Sequence, residues 1–308
     1  MNALVLSGGS IKGAFQAGAL QVILQSGLRP DYIWGVSVGA LNGAFLADRA
    51  GRAVIAGAEP RWQDIGSFLV QFWTERVTRP SDIVTRRSTP EIAWNALLGR
   101  FNGLLNTNRL ERLIRQTVRV DRIAASPAVY KAGVVDLGDG HYFEADSSRE
   151  DLVDYIVASA AIPILMPLVI KNGSALADGG VREIAPLRSA IHAGATNIIV
   201  IAPQSEHLEA RTFNPRNVVS LTQRVMEILL DEILQNDLAK ARHINAHCPV
   251  DGTPATSGPY AGKRRVDITL IRPSANFDVD LLDFTSEDIR RMIEIGEKSA
   301  SIALRLDA

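Results

Sequence analysis

Three short stretches carry residue types whose spacing could do chemistry. Gly35-Val36-Ser37-Val38-Gly39 is a G-x-S-x-G between an apolar run that reads as a strand and a run that reads as a helix. A serine in a tight strand-to-helix turn has its hydroxyl pushed clear of the sheet, and flanking glycines relieve the crowding of such a turn. The following helix would aim its first amides and positive dipole end at the same place, where an oxyanion would form. The plain alternative is a glycine turn with an incidental serine. Gly8-Gly9-Ser10-Ile11-Lys12-Gly13 follows the first apolar run. A phosphate loop needs Lys directly after its last Gly, where Ala14 stands, and a dinucleotide loop needs Gly where Ser10 stands. An oxyanion loop asks only for small residues whose N–H groups can approach an oxygen, and Gly9-Ser10 provide them; a bare strand-to-helix connection is the alternative. The third stretch, Asp178-Gly179-Gly180, follows the apolar run Ser174–Ala177. Asp-Gly is a common turn, but a nucleophilic serine needs a base, and few acidic residues lie in apolar loop surroundings.

The five histidines are the other candidate bases. His141 falls at an expected turn, His192 on an expected helix, and His207, His243 and His247 in the last third of the chain. His243 and His247 have i,i+4 spacing, but Ile244 stands where H-E-x-x-H requires Glu. With Cys248 beside them they are either part of a metal site or ordinary helix histidines. A triad using His192 or another His is a competing reading.

Elements that could position these residues alternate along the chain. Ala3–Ser7 reads as a buried strand, Ala14 to Gln25 as a helix ended by Gly27 and Pro30, Tyr32–Val36 as a strand, and Val38 to Asp48 as a helix. Asn197–Ala202 and Val266–Ile271 read as further strands, and Val129–Asp136 with His141–Ala145 as a hairpin. Residues 51–127, rich in Arg and Trp, read as a helical insertion without strands. Within it Trp62, Ile65, Leu69, Phe72 and Arg76 recur at helical spacing. That helix, Trp62–Arg76, is either a lid or interfacial anchor, with Arg61, Arg76 and Arg79 meeting head groups, or ordinary core. Ile162–Ile170 is either the wall of an acyl slot or core. Val218 to Ala246 and Glu287–Leu304 read as amphipathic helices, and Asp251–Gly262 as a loop. No repeat is present, and 1–308 is expected to be one domain.

Composition bounds the class. The chain has 308 residues, 46% hydrophobic and 22% charged, which excludes a disordered or fibrous protein. Surface scaling predicts that roughly three quarters of its surface is buried on folding. Lys and Arg (33) nearly cancel Asp and Glu (34), against a nucleic-acid binder. The single cysteine leaves no internal disulfide, the usage of a reduced compartment. The start lacks a basic flank before its apolar run, unlike a signal peptide. The longest apolar stretch, Tyr155 to Ile170, is too short for a bilayer and contains Pro163 and Pro167. These features predict a cytoplasmic protein, with peripheral contact at a membrane surface left open and the oligomeric state unspecified.

With these features in place, the chain resembles the patatin-like phospholipase family. Its members carry a glycine-rich oxyanion loop, a G-x-S-x-G elbow and a D-G-G/A turn in that order, as Gly8–Gly13, Gly35–Gly39 and Asp178–Gly180 do here. A further signature, A-S-x-A-x-P-x-x-x-P, matches Ala158-Ser159-Ala160-Ala161-Ile162-Pro163-Ile164-Leu165-Met166-Pro167. The resemblance covers residues 3 to about 205 and says little about 206–308. It implies an α/β fold, three-layer α/β/α with a mostly parallel central sheet, as a variant of the α/β hydrolase type. It also implies a lipid acyl hydrolase working through a Ser37–Asp178 dyad and an acyl-enzyme. Gly8, Gly9, Ser10, Gly13 and Val38 would surround the oxyanion, and Gly35, Gly39, Gly179 and Gly180 would shape the turns. No cofactor and no metal are implied, and the partner is a lipid or other acyl ester. Three departures stand out: Ser10 replaces the third loop glycine, so the loop is less free at positive φ; Ile184 stands where Asn is common; Lys12 replaces the commoner Arg.

Overall fold

The computed structural model describes residues 1–306 except 209, 211 and 212. The first part follows the expected alternation: β1 (Asn2–Leu6), α1 (Gly13–Gln25), β2 (Tyr32–Val36) and α2 (Val38–Ile55). Then come α3 (Trp62–Arg76), β3 (Thr85–Arg86), α4 (Thr89–Leu97), β4 (Leu105–Asn106), α5 (Asn108–Thr117) and α6 (Val120–Ala124). The hairpin β5 (Val129–Asp136) and β6 (Tyr142–Asp146) leads to α7 (Leu152–Ser159), β7 (Val169–Lys171) and β8 (Ser174–Asp178). The last part holds α8 (Leu187–His192), β9 (Asn197–Ile201), α9 (Val218–Ala246), β10 (Asp267–Ile271) and α10 (Ser286–Ala303).

Two expectations for residues 51–127 need correction. Its first five residues belong to α2, which continues past Asp48 to Ile55; Gly51 lets that turn lie against the Arg122 carbonyl, where a Cβ would collide. The segment also contains strands, because β3 and β4 pair antiparallel through Thr85–Asn106 and Arg86–Leu105. A two-residue ladder has no alternation to read.

The main sheet runs β10-β9-β1-β2-β5-β8-β7, with β6 paired to β5. From β10 to β5 every pairing is parallel, while β6, β8 and β7 are antiparallel. Strand alternation divides the interior in two. Leu4 and Leu6 of β1 enter a large core with α1, α2, α3, α7 and α10, and Ala3 and Val5 enter a smaller one with α8 and α9. The result is a three-layer α/β/α arrangement. The region beyond residue 205 contributes directly to it. β10 adds a strand, and α10 packs backbone to backbone on α1, since a Cβ at Gly18 or Gly296 would strike the Ile293 or Phe15 carbonyl.

One feature of the register sets the site. β6 runs along one edge of β5, facing Lys131 to Val135. β2 therefore occupies the other edge, up to Val36 opposite Gly133. Because Val134 pairs with both Phe143 of β6 and Asp178 of β8, β8 continues along the β2 edge. β2 and β8 thus meet end to end, with Ser37 following Val36 at one tip and Asp178 at the other. The loop after β1 emerges beside them, since Leu6 is paired with Gly35. Clefts at the carboxyl ends of parallel strands are where α/β sheets hold ligands.

Candidate active site

The turn at Ser37 is as tight as its sequence suggests. Ser37 has φ 56° and ψ −128°, a left-handed conformation that costs a non-glycine residue roughly 1–3 kcal/mol. Gly35 and Gly39 make the turn by direct backbone approach. A Cβ on Gly35 would strike the Gly39 carbonyl, and one on Gly39 would strike the Leu6 carbonyl at the end of β1. Ser159, fully buried on α7, fastens the turn to the sheet: its hydroxyl accepts the Ser37 N–H at 2.9 Å and donates to the Gly133 carbonyl at 2.7 Å. Sequence reasoning gave Ser159 no role beyond its place in a signature.

The loop after β1 crosses the carboxyl ends of β1 and β2. Ser10 sits at φ 53°, the left-handed region that favours glycine, so Ser bears the strain at the one departure from three glycines. Gly8 N–H donates to the Ile184 carbonyl at 3.4 Å. The buried Ile184 side chain fills the space that a Cβ on Gly8 or Gly180 would need. Isoleucine at 184 therefore closes the loop against the Asp178 turn by packing. Gly13 is short of a Cβ for Val38 and Trp73. The amide N–H groups of Gly9, Ser10 and Val38 have no acceptor among the described residues. A buried polar network that sequence reasoning missed holds the loop from below. Gln16 donates to the Ser7 carbonyl at 2.7 Å, Asn42 to the Gly13 carbonyl and the Gln16 amide oxygen at 3.0 Å each, and Trp73 Nε1 to Asn42 at 2.9 Å.

Asp178 is 6% exposed. Its Oδ1 accepts the Gly180 N–H at 2.8 Å, and its own N–H donates to the Ala161 carbonyl at 3.0 Å, within the proline-rich signature. Burial pushes its pKa up from 3.8 to about 6; the nearby Ser37 hydroxyl and the Gly180 amide that donates to the carboxylate hold it from rising further. Gly179 lets the turn press on the β5 backbone at Gly133. Ser37 and Asp178, separated by 141 positions in the chain, are thus side by side.

Ser37 lies where two cavities meet. The inner one, about 80 Å³, is a narrow slot with an almost wholly apolar wall that includes Phe45, Leu69, Phe72, Leu113 and Ile156. The outer vestibule, about 450 Å³, is bounded by Asp178, Lys12, Gln204, Arg224 and Glu227 among others. Ser10, Ile11, Ser37, Ile162 and Leu281 border both. Of residues 162–170, Ile162 and Met166 border the slot. α3 is core: Trp62, Ile65, Leu69 and Trp73 are buried, and Phe72 lines the slot. Lys12 pairs with Glu227 at 3.4 Å. None of the five histidines borders either cavity. His243 and His247 are in tilted ring contact, each also against Tyr260. Among the described residues no group of His, Cys, Asp and Glu is arranged to hold a metal ion, and no helix is long and apolar enough to cross a membrane.

A family model described as patatin-like phospholipase matches residues 4–191. The chain belongs to that family. Its members are lipid acyl hydrolases, and all four motifs fall inside the matched range. Among solved structures, VipD from Legionella pneumophila is similar over 99% of this chain and 66% of its own length, at 14% identity and a TM-score of 0.42. This chain is therefore about two thirds as long as the protein it is aligned with. A comparison with curated proteins finds no match. As a patatin-like phospholipase, the chain departs from its family's usual pattern at Ser10, Lys12 and Ile184, and each of these side chains has a defined structural setting here.

Proposed function

We propose that this patatin-like phospholipase cleaves fatty-acyl esters through a Ser37–Asp178 dyad, as a single domain spanning the chain. Asp178 takes the Ser37 proton as the hydroxyl oxygen adds to the acyl carbonyl. The N–H groups of Gly9, Ser10 and Val38 accommodate the oxyanion, with Gly8 and Gly13 shaping their loop. Collapse expels the alcohol, which leaves with the proton from Asp178, and the acyl group stays on Ser37. Water then gives a proton to Asp178 and adds to the acyl-enzyme; collapse releases the fatty acid and returns the proton to Ser37.

A carboxylate is a weak base for an alcohol, so burial matters. Raising Asp178 to about 6 narrows the gap to serine by roughly two units relative to the ordinary ~3.9. General-base assistance of this kind contributes about 10²–10⁴, and each oxyanion donor about 10²–10³. The observation that carries the reading is the junction itself. A strained serine beside a desolvated carboxylate lies between an apolar slot suited to an acyl chain and a wider vestibule whose wall mixes apolar side chains with Lys12, Gln204, Arg224 and Glu227, suited to the leaving alcohol. The test is hydrolysis of an acyl-ester reporter with a fluorophosphonate probe alongside. Ser37→Ala and Asp178→Asn should each abolish turnover, the probe should label Ser37, and the five His→Ala variants should keep their activity. Full turnover in Asp178→Asn, or a silent His variant that still folds, overturns the dyad.

A further inference from the structure

Two stretches beside the vestibule present apolar side chains to solvent. The first is the excursion between β3 and β4, where Trp94, Leu97, Leu98 and Phe101 are exposed by 46% or more. No residue of α4 is buried. The excursion is fastened to the vestibule wall: Leu104 and Leu105 N–H donate to the Ile164 and Leu165 carbonyls at 3.0 and 2.8 Å. Pro163 and Leu165 line the vestibule, and Ile164 between them is half exposed. The second stretch is the first half of α9. Its inner side gives Gln223, Met226 and Leu230 to the vestibule. Val218, Leu221, Val225 and Leu229 are exposed, and at about 100° per residue they fall in one narrow sector on the opposite side. Further along, the same sector carries exposed Glu232, Asn236 and His243. The outer face of α9 is apolar only where the helix borders the vestibule.

Charge says what covers the α4 excursion. Residues 85–115 contain Arg86, Arg87, Arg100, Arg109, Arg112 and Arg115 against only Glu91 and Glu111. Arg87 and Arg115 are held in ion pairs, whereas Arg86, Arg100 and Arg112 have no carboxylate partner among the described residues. A second copy of the chain fits poorly, because a two-fold contact would set this basic surface against itself. Exposed aromatic and aliphatic side chains on a segment rich in arginine suit the boundary of an anionic bilayer, where the apolar groups enter the acyl layer and the cations meet phosphates and carboxylates.

We propose that these two apolar stretches, the α4 excursion and the outer stripe of α9, together seat the protein on an anionic lipid bilayer with the vestibule opening toward it. The proposal rests on the lipid-hydrolase reading for its purpose but has its own readouts. Trp94 is a built-in reporter, since Trp34, Trp62 and Trp73 are buried and Trp94 is 62% exposed. The full chain is mixed with phosphatidylcholine vesicles with and without phosphatidylserine. Co-sedimentation with the anionic vesicles, weakened by salt, and a blue shift of Trp94 emission are expected. A Leu97→Ser/Phe101→Ser variant and a Val225→Ser/Leu229→Ser variant should each bind at least about tenfold more weakly, with hydrolysis of a soluble short-chain ester unchanged. Trp94 emission that ignores anionic vesicles, or variants that bind as well as the parent, overturns the proposal. So does self-association that the variants abolish without any vesicle binding, which would make the face an interface between copies. Vesicle binding by a protein inert toward the soluble ester would instead sink the hydrolase reading and leave the docking face standing.

Discussion

Replacing Asp178 by asparagine should separate stability from catalysis. The carboxylate is almost wholly buried, and its pKa lies at about 6 instead of 3.8. Two units at 1.36 kcal/mol each mean that ionised Asp178 costs the folded state about 3 kcal/mol at pH 8. The folded pKa lies above the unfolded one, so the folded state binds this proton more tightly. The group favours folding below about pH 4, and that stabilisation is lost as pH rises through about 6. Asparagine has the same shape, keeps an oxygen for the Gly180 N–H and carries no charge. An unfolding entropy of about 2.1 cal/mol/K per residue over 308 residues converts the gain to a Tm rise of about 5 °C at pH 8. The rise should shrink toward zero near pH 4. Scanning calorimetry of both proteins at pH 8, 6 and 4, beside ester turnover, measures it. An asparagine variant no more stable than the parent at pH 8, or a gain that persists unchanged in acid, refutes desolvation as the cause of the Asp178 proton affinity.

Other outcomes follow from the same site. The kcat/KM of the parent should fall about tenfold per pH unit below about 6, as Asp178 protonates; a limb near pH 4 would contradict its burial. Ser159→Ala should lower kcat more than it raises KM and cost about 1–3 kcal/mol by denaturant titration, because it strands the buried Ser37 N–H. Ser10→Gly should keep activity and stability within about 1 kcal/mol, relief of positive φ offsetting glycine's added chain entropy. Ser10→Val should lose activity, and equal activity of the two variants would show that the loop conformation is immaterial. Leu113→Trp narrows the inner slot and should depress kcat/KM for long-chain esters while sparing short ones; a uniform loss across chain lengths would exclude the slot as the acyl site.

Much of the architecture was legible in the chain itself. The buried runs of β1, β2 and β9 and the amphipathic runs of α1, α9 and α10 end within a residue or so of where periodicity and glycine or proline signals put them. The short ladder of β3 and β4 and the three-residue β7 carried no period and were invisible. The glycines at 35 and 39 announced a close backbone approach, but not that the carbonyl approached by Gly39 belongs to Leu6. Trp62–Arg76 read as core or as lid, with core favoured, because an aromatic stripe has the same spacing in both settings; the partner it packs against decided for core. Gln16 and Asn42 left no signal, and Ser159 only its place in a signature, since a single polar residue in an apolar helix does not reveal its acceptor.

By itself the sequence determined which groups are available: a serine in a glycine elbow, a loop of small residues able to present amides, an aspartate in a glycine turn, and strands and helices to hold them. The tertiary structure decided that serine and aspartate are neighbours, because β2 and β8 share one edge of β5 and meet tip to tip. It also decided the proton affinity of Asp178, which depends on excluded water rather than on residue type. Local preferences follow from a few adjacent residues, whereas proximity and desolvation are properties of what the rest of the chain packs around them.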